Sequence, residues 1–145
     1  MTTFTKIITY DDDFIEEDAE NEIELQEIAS KYNFVPKIIN KTFEDERCII
    51  EMEDLQAPNL ADTYGEDVED IPEHIWNSIR IILRILLEEE GIEYVDITPY
   101  NFIEKDGKVY IIDFGHAYYT DLVDINPFLN DVLYNDLKSW NPDFK

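Results

Sequence analysis

Thr5–Tyr10 (TKIITY) reads as a short strand, and the acidic step Asp11–Asp13 after it predicts a cap for a helix from about Phe14 to Tyr32. Within that helix Ala19, Leu25, Ile28, Ala29 and Tyr32 recur at helical spacing. Pro36 opens a second unit, in which Lys37–Asn40 and Arg47–Met52 predict hairpin strands around a charged turn. Asp54–Asp70 is loop-like, with a short helix at Asn59–Tyr64. From Pro72 a strong helical pattern runs to Glu90: Ile75, Ile79, Ile82, Leu83 and Leu86 share a face, which Ile81 and Ile85 widen. So wide an apolar surface predicts a helix buried at the centre of the fold, and Gly91 ends it. After an irregular stretch, Asn101–Glu104 and Lys108–Asp113 predict a hairpin through Lys105-Asp106-Gly107, because an Asp-Gly step between apolar strands favours a tight turn. A last amphipathic helix is expected near Phe128–Trp140, with Leu129, Val132, Leu133, Leu137 and Trp140 on one side. The pattern contains no repeat, no Gly/Ser linker and no basic tract.

Charge changes the picture most. Thirty-five acidic against 11 basic residues leave a formal charge of −24, so DNA, RNA and anionic membranes are expected to repel the chain. A basic protein surface is the more natural partner. At 44% hydrophobic and 13% aromatic the 145 residues are no acidic disordered tail, and their number suits one domain, 1–145. The longest apolar run, Ile79–Leu87, is interrupted by Arg80 and Arg84, well short of the roughly 20 residues that span a bilayer. The opening residues lack the basic-then-apolar layout of a secretion signal, and the single Cys48 excludes an internal disulfide. A cytoplasmic protein is the expectation.

The chemistry concentrates between Gly91 and Gly115 (GIEYVDITPYNFIEKDGKVYIIDFG). Asp96 and Asn101 precede the first strand of the expected hairpin, and Asp113 closes the second. A hairpin returns the chain on itself, so Asn101 and Asp113 should end near one another. Two carboxylates and an amide oxygen form an oxygen-only site of the kind Mg²⁺ prefers, with few ligands and room for water and phosphate. The competing reading is ordinary capping of loop and hairpin by Asx side chains.

At these residues the chain resembles a family. Asp96-Ile97-Thr98-Pro99-Tyr100-Asn101 looks like the catalytic loop of protein-kinase-like enzymes, and Asp113-Phe114-Gly115 matches their magnesium-binding DFG triplet. What makes the likeness specific is the ordered set of long helix, Asp-x4-Asn, Asp-Gly hairpin and DFG. Thr98, where ordinary Ser/Thr kinases usually carry Lys, brings it closer to small atypical kinases such as the RIO group or those of the tRNA-modifying KEOPS complex. Upstream, Ile49–Leu55 looks like the last N-lobe strand running into the adenine hinge, and Asn21–Leu25 resembles the helix that presents a glutamate to a phosphate-binding lysine. Helical spacing supports Glu22 independently: it shares a face with Ala19, Leu25 and Ala29, an awkward place for a carboxylate unless a cation meets it. Lys6 is the only basic residue upstream.

The resemblance implies an α+β, abbreviated protein-kinase-like fold: a reduced N-lobe of about three strands and one helix over 1–53, and a minimal helical C-lobe with a catalytic hairpin over 54–145. It implies that Asp96 is the base or orienter for an attacking hydroxyl and that Asn101 and Asp113 hold Mg²⁺. Lys6, paired with Glu22, would touch the α/β-phosphates, and the backbone of Met52, Glu53 and Asp54 would meet adenine. ATP and Mg²⁺ are the implied cofactors. The glycine-rich lid, the APE segment and the peptide-binding platform are expected to be missing, and Tyr94-Val95 replaces the usual His-Arg before the aspartate.

Three functions remain open: an ATP-dependent phosphotransferase, weak or narrowly targeted; a pseudokinase or decoy that binds a basic partner protein; and, more distantly, an acidic mimic of nucleic acid. His116 and His74 read as loop and helix-start histidines, Cys48 as a buried small hydrophobe, and Trp76 and Trp140 as core or docking anchors.

Overall fold

The chain builds a three-stranded antiparallel sheet, one helix packed on it, and beneath them a long central helix flanked by two short strand pairs. The structure, a computed structural model, describes residues 2–121 and 123–144. In the sheet β1 (Thr3–Thr9) and β2 (Ile38–Phe43) both pair with β3 (Arg47–Glu53), in the order β1-β3-β2. The register sets Lys6 opposite Ile50 and Phe4 opposite Met52, so β1 presents Phe4, Lys6 and Ile8 to the face where Cys48, Ile50 and Met52 are buried. Cys48 is a fully buried free thiol, as its apolar strand suggests.

Helix α1 spans Glu16–Ala29, shorter at both ends than its pattern suggests. The aspartates before it form a turn: Asp11 Oδ1 accepts from the N–H groups of Asp13 and Phe14, both at 2.8 Å. The helix proper opens when Asp18 Oδ2 accepts from Ile15 N–H at 2.9 Å. Its buried residues Ala19 and Ile23 belong to the sheet's core, whereas Leu25 and Ala29 belong to the larger core below. One helix thus ties the two layers together.

Below lie α2 (Leu60–Thr63), a 3-10 turn at Val68–Asp70, and α3 (Glu73–Glu90). Ile75, Trp76, Ile79, Ile82, Leu83, Leu86 and Leu87 of α3 are buried, which makes it the centre of the larger core. Gly91 stops it in the left-handed conformation at φ 66°. The following irregular stretch contains an unanticipated pair, β4 (Ile92–Glu93) with β7 (Tyr118–Tyr119). The hairpin of β5 (Phe102–Lys105) and β6 (Lys108–Ile111) turns at Asp106 and Gly107, both with positive φ, as an Asp-Gly step favours.

The last helix, α4, covers Pro127–Tyr134 and stops well before Trp140. Arg80 and Arg84 of α3 explain the stop. Their guanidinium groups donate to the carbonyls of Val132, Leu133 and Leu137, and Asp136 takes a left-handed φ of 57°. The chain then runs back toward the loop between β4 and β5. No described helix is long and apolar enough to cross a membrane.

Candidate functional site

Asn101 and Asp113 flank the β5–β6 hairpin, and the pairing extends one step past the strands: Ile112 N–H donates to the Asn101 carbonyl at 3.0 Å. That bond sets Asp113 one residue from Asn101 across the ladder. Asp113 itself is left-handed, at φ 63°, a conformation that costs energy in a residue with a Cβ and that the surroundings must hold. Several do. Asp113 Oδ1 accepts from Gly115 N–H at 3.1 Å and from Lys6 Nζ at 3.3 Å. Tyr94, fully buried, donates its hydroxyl to the Ile112 carbonyl at 2.6 Å and meets Phe114 edge-on at 5.4 Å.

Lys6 makes its closer contact with Glu22, Nζ to Oε2 at 2.6 Å. Burial opposes the lysine's charge, but Glu22 and Asp113 outweigh it and raise its pKa. Burial raises the Glu22 pKa as well, and Lys6 offsets only part of that. The backbone of Gly115 packs close beside this pair: a Cβ there would lie 3.0 Å from Glu22 Oε1 and 3.2 Å from Asp113 Oδ1, so one of the carboxylates would have to shift by a few tenths of an ångström.

Asp96 and Asn101 are buried on the same loop, where the Asn101 amide nitrogen donates to the Asp96 carbonyl at 2.9 Å. Burial, then the nearby negative charge of Asp113, pushes the Asp96 carboxyl above its usual range. The returning C-terminal segment holds this loop from behind: Asn141 donates from its side chain to Val95 O at 2.8 Å and from its backbone to Ile97 O at 2.9 Å.

A cleft of about 370 Å³ opens between sheet and hairpin. Of the residues singled out in the sequence, Lys6, Met52, Glu53, Asp54 and Asp113 line it, whereas Glu22, Asp96 and Asn101 are buried and do not line it. Phe4, Pro36, Ile103 and Ile112 add apolar walls that no sequence motif announced. In the hinge segment the N–H groups of Glu53 and Asp54 are engaged, donating to Lys37 O and Thr2 O at 3.0 and 3.2 Å. Backbone pairing with a base through those two donors is therefore closed off.

Tyr94 and Asn141 are the positioning residues that sequence reasoning missed. Tyr94 carried a signal, an aromatic two residues before Asp96, whereas Asn141 lay just past the end of the expected last helix.

The donor set suits a hard cation. Asp113 uses Oδ1 for Lys6 and Gly115, which leaves Oδ2, and the orientation of the Asn101 amide leaves its oxygen as the atom to offer. Among the described residues no group of three or more His, Cys, Asp or Glu side chains is placed to hold a metal alone, so a cation here would rely on water or phosphate for its remaining ligands.

Lysine–glutamate pair, DFG turn and catalytic-type loop around a cleft under a small sheet define the protein-kinase-like class. The family model of the RIO domain matches residues 6–141, and the chain belongs to that family of atypical protein-kinase-like, ATP-binding phosphotransferases, whose members usually use ATP and Mg²⁺. No curated protein matches the chain. The fold is accordingly the abbreviated kinase-like α+β arrangement that the motifs implied.

Proposed function

We propose that this chain binds ATP with Mg²⁺ in the cleft and transfers the γ-phosphoryl group to a hydroxyl of a protein substrate. One observation carries the reading: Lys6, held by Glu22 at 2.6 Å, points its ammonium at Asp113 on the wall of the cleft. An ammonium fixed between two carboxylates is a prepared site for phosphate oxygens, and few other tasks call for that triad beside an apolar slot. Phe4, Met52, Ile103 and Ile112 would enclose the adenine, with Glu53 O and Leu55 N–H as its backbone partners. Asn101 and Asp113 would hold the metal, which when bound neutralises charge on the phosphates. Asp96 would accept the proton of the acceptor hydroxyl as its oxygen bonds to the γ-phosphorus and ADP departs. A carboxyl raised by burial is better matched to that task than a fully solvated one.

The test is a thermal-melt series with a transfer assay on the full chain. ATP with Mg²⁺ should raise the melting temperature, and EDTA should abolish the shift. Asp113→Asn should lose both the shift and label transfer, and Asp96→Asn should keep the shift and lose transfer. No shift in the wild type defeats the proposal.

A second reading, a pseudokinase that binds nucleotide and a basic partner without transfer, draws on one feature. Among the described residues β1 is the edge of its sheet, so no strand roofs the cleft. A wild-type shift with no transfer to any basic protein decides for it.

A further inference from the structure

The backbone of β1 (Thr3–Thr9) is hydrogen-bonded along one side only. Two bonds just beyond the strand fix which side: Tyr10 N–H donates to Glu46 O at 2.9 Å, and Asp54 N–H donates to Thr2 O at 3.2 Å. Both join residues that the β1–β3 register, extended one step at each end, sets opposite. Thr2, Phe4, Lys6, Ile8 and Tyr10 therefore turn their N–H and C=O groups toward β3. Thr3, Thr5, Ile7 and Thr9 turn theirs the other way, where among the described residues no strand lies.

Sheet edges are ordinarily blunted by a bulge, a proline or an outward charge. The other edge, β2, has a bulge between Ile38 and Asn40 and a lysine, Lys41, tied to Glu27. On β1 the register runs unbroken from Thr3 to Thr9, and the strand contains neither proline nor glycine. Its only charge, Lys6, turns under the sheet to Glu22. Phe4 and Ile7, each 53% exposed, stand on its two faces. Such an edge is an open template for one more strand.

The charges around the edge select the occupant. Residues 1–10 contain no acid, although the chain has 35. Acids bracket the strand instead: Asp11, Asp12 and Asp13, all exposed, follow its end, and Glu53 and Asp54 stand opposite its beginning. None of these five joins an ion pair among the described residues, and Arg47, opposite Thr9, is taken by Glu44. A second copy, bringing another charge of −24, is repelled.

We infer that the outer edge of β1 binds an extended segment of another protein, β-branched along its middle and carrying lysine or arginine at both ends. The segment adds as a fourth strand, its backbone paired with Thr3, Thr5, Ile7 and Thr9. Its apolar side chains lie beside Phe4 on one face and Ile7 on the other, and its basic ends meet the two acidic brackets. Binding of this kind needs no nucleotide and stands apart from the phosphotransferase reading.

The test uses the full chain and a labelled peptide of alternating valine and threonine with lysines at each end, read by fluorescence anisotropy. The peptide should bind, more weakly at about 300 mM than at about 50 mM salt, and its analogue with glutamates for the lysines should not. Proline is tolerated on an edge strand where the missing N–H faced solvent. Thr5→Pro with Ile7→Pro should therefore keep the fold and weaken binding about tenfold or more. Phe43→Pro should alter it less than about twofold, because Glu44 N–H bonds to Arg47 O and so places the Phe43 N–H on the outer row of the opposite edge. Asp12→Lys with Asp13→Lys should cost about fivefold, and Asp67→Lys with Glu69→Lys, the same charge change in the lower layer, less than about twofold. Amide exchange in the wild type, followed by NMR, needs no variant. The N–H groups of Thr3, Thr5, Ile7 and Thr9 should be open in the free chain and slow about tenfold or more with peptide, while those of Phe4, Lys6 and Ile8 hold steady. No peptide binding by the wild type, a folded proline pair that binds as before, or equal losses from the two charge-reversed pairs each overturn the inference. So do odd-row amides already protected in the free chain, or a dimer on sedimentation that the proline pair dissociates.

Discussion

At Lys6 structure and function make separate demands on one side chain. Glu22 is almost fully buried, so its carboxylate is tolerated only because an ammonium lies 2.6 Å away. Lys6→Met should therefore destabilise the fold by about 3 kcal/mol, read from urea unfolding, because it strands a buried acid. Lys6→Met with Glu22→Leu should recover most of that loss, since an apolar pair of similar volume suits the site, yet it should leave ATP–Mg²⁺ binding absent. If the double variant melts lower than the single one, the account of the pair is wrong. Glu22 was legible in the sequence because a carboxylate on an apolar helical face demands a partner. That Lys6 also reaches Asp113 was not, since 107 residues separate them and only folding closes the distance.

Among the elements, the hairpin and α3 follow from local rules, whereas the ends of α1 and α4 do not. Tyr32, expected in the last turn of α1, lies beyond it and bridges to α3 instead: its hydroxyl donates to Glu90 Oε2 at 2.5 Å, and Lys31 joins Glu90 at 2.6 Å. Bonding to Glu90, with burial adding to it, raises the Tyr32 pKa to about 12. The sign of the pH effect follows. Below the usual value of 10.0 the bridge contributes in full; above it the unfolded tyrosine ionises first, and the contribution falls as pH rises toward about 12. The urea-midpoint difference between wild type and Tyr32→Phe should hold constant from pH 7 to about 9.5 and shrink between pH 10 and about 12. A difference that stays flat across that upper window would show that the bridge carries no stability. Hydrophobic spacing on α4 continues to Trp140, and Leu137 and Trp140 do pack on the core, but as extended chain. Periodicity reports which side chains are buried; the arginines of α3, on a different element, decide where the helical hydrogen bonds end.

For the molecule as a whole, 35 acids against 11 bases mean net self-repulsion. Seven ion pairs among the described residues engage six of the 11 bases and leave most acids unmatched. Screening should outweigh the loss of these few surface pairs. The melting temperature should thus rise when salt goes from about 20 mM to about 500 mM, although ordinary surface ion pairs weaken over that range. A fall would mean that specific pairs, not net charge, dominate.

Local propensity and residue chemistry were enough to announce the central helix, the Asp-Gly hairpin, the buried carboxylate and the kinase-like motifs, since each is written within a few neighbouring positions. The walls of the cleft, the hold of Tyr94 and Asn141 on the loop and the closed donors of the hinge came from tertiary packing alone. Each joins segments tens of residues apart, and a contact of that kind leaves no period or spacing along the chain from which it could be read.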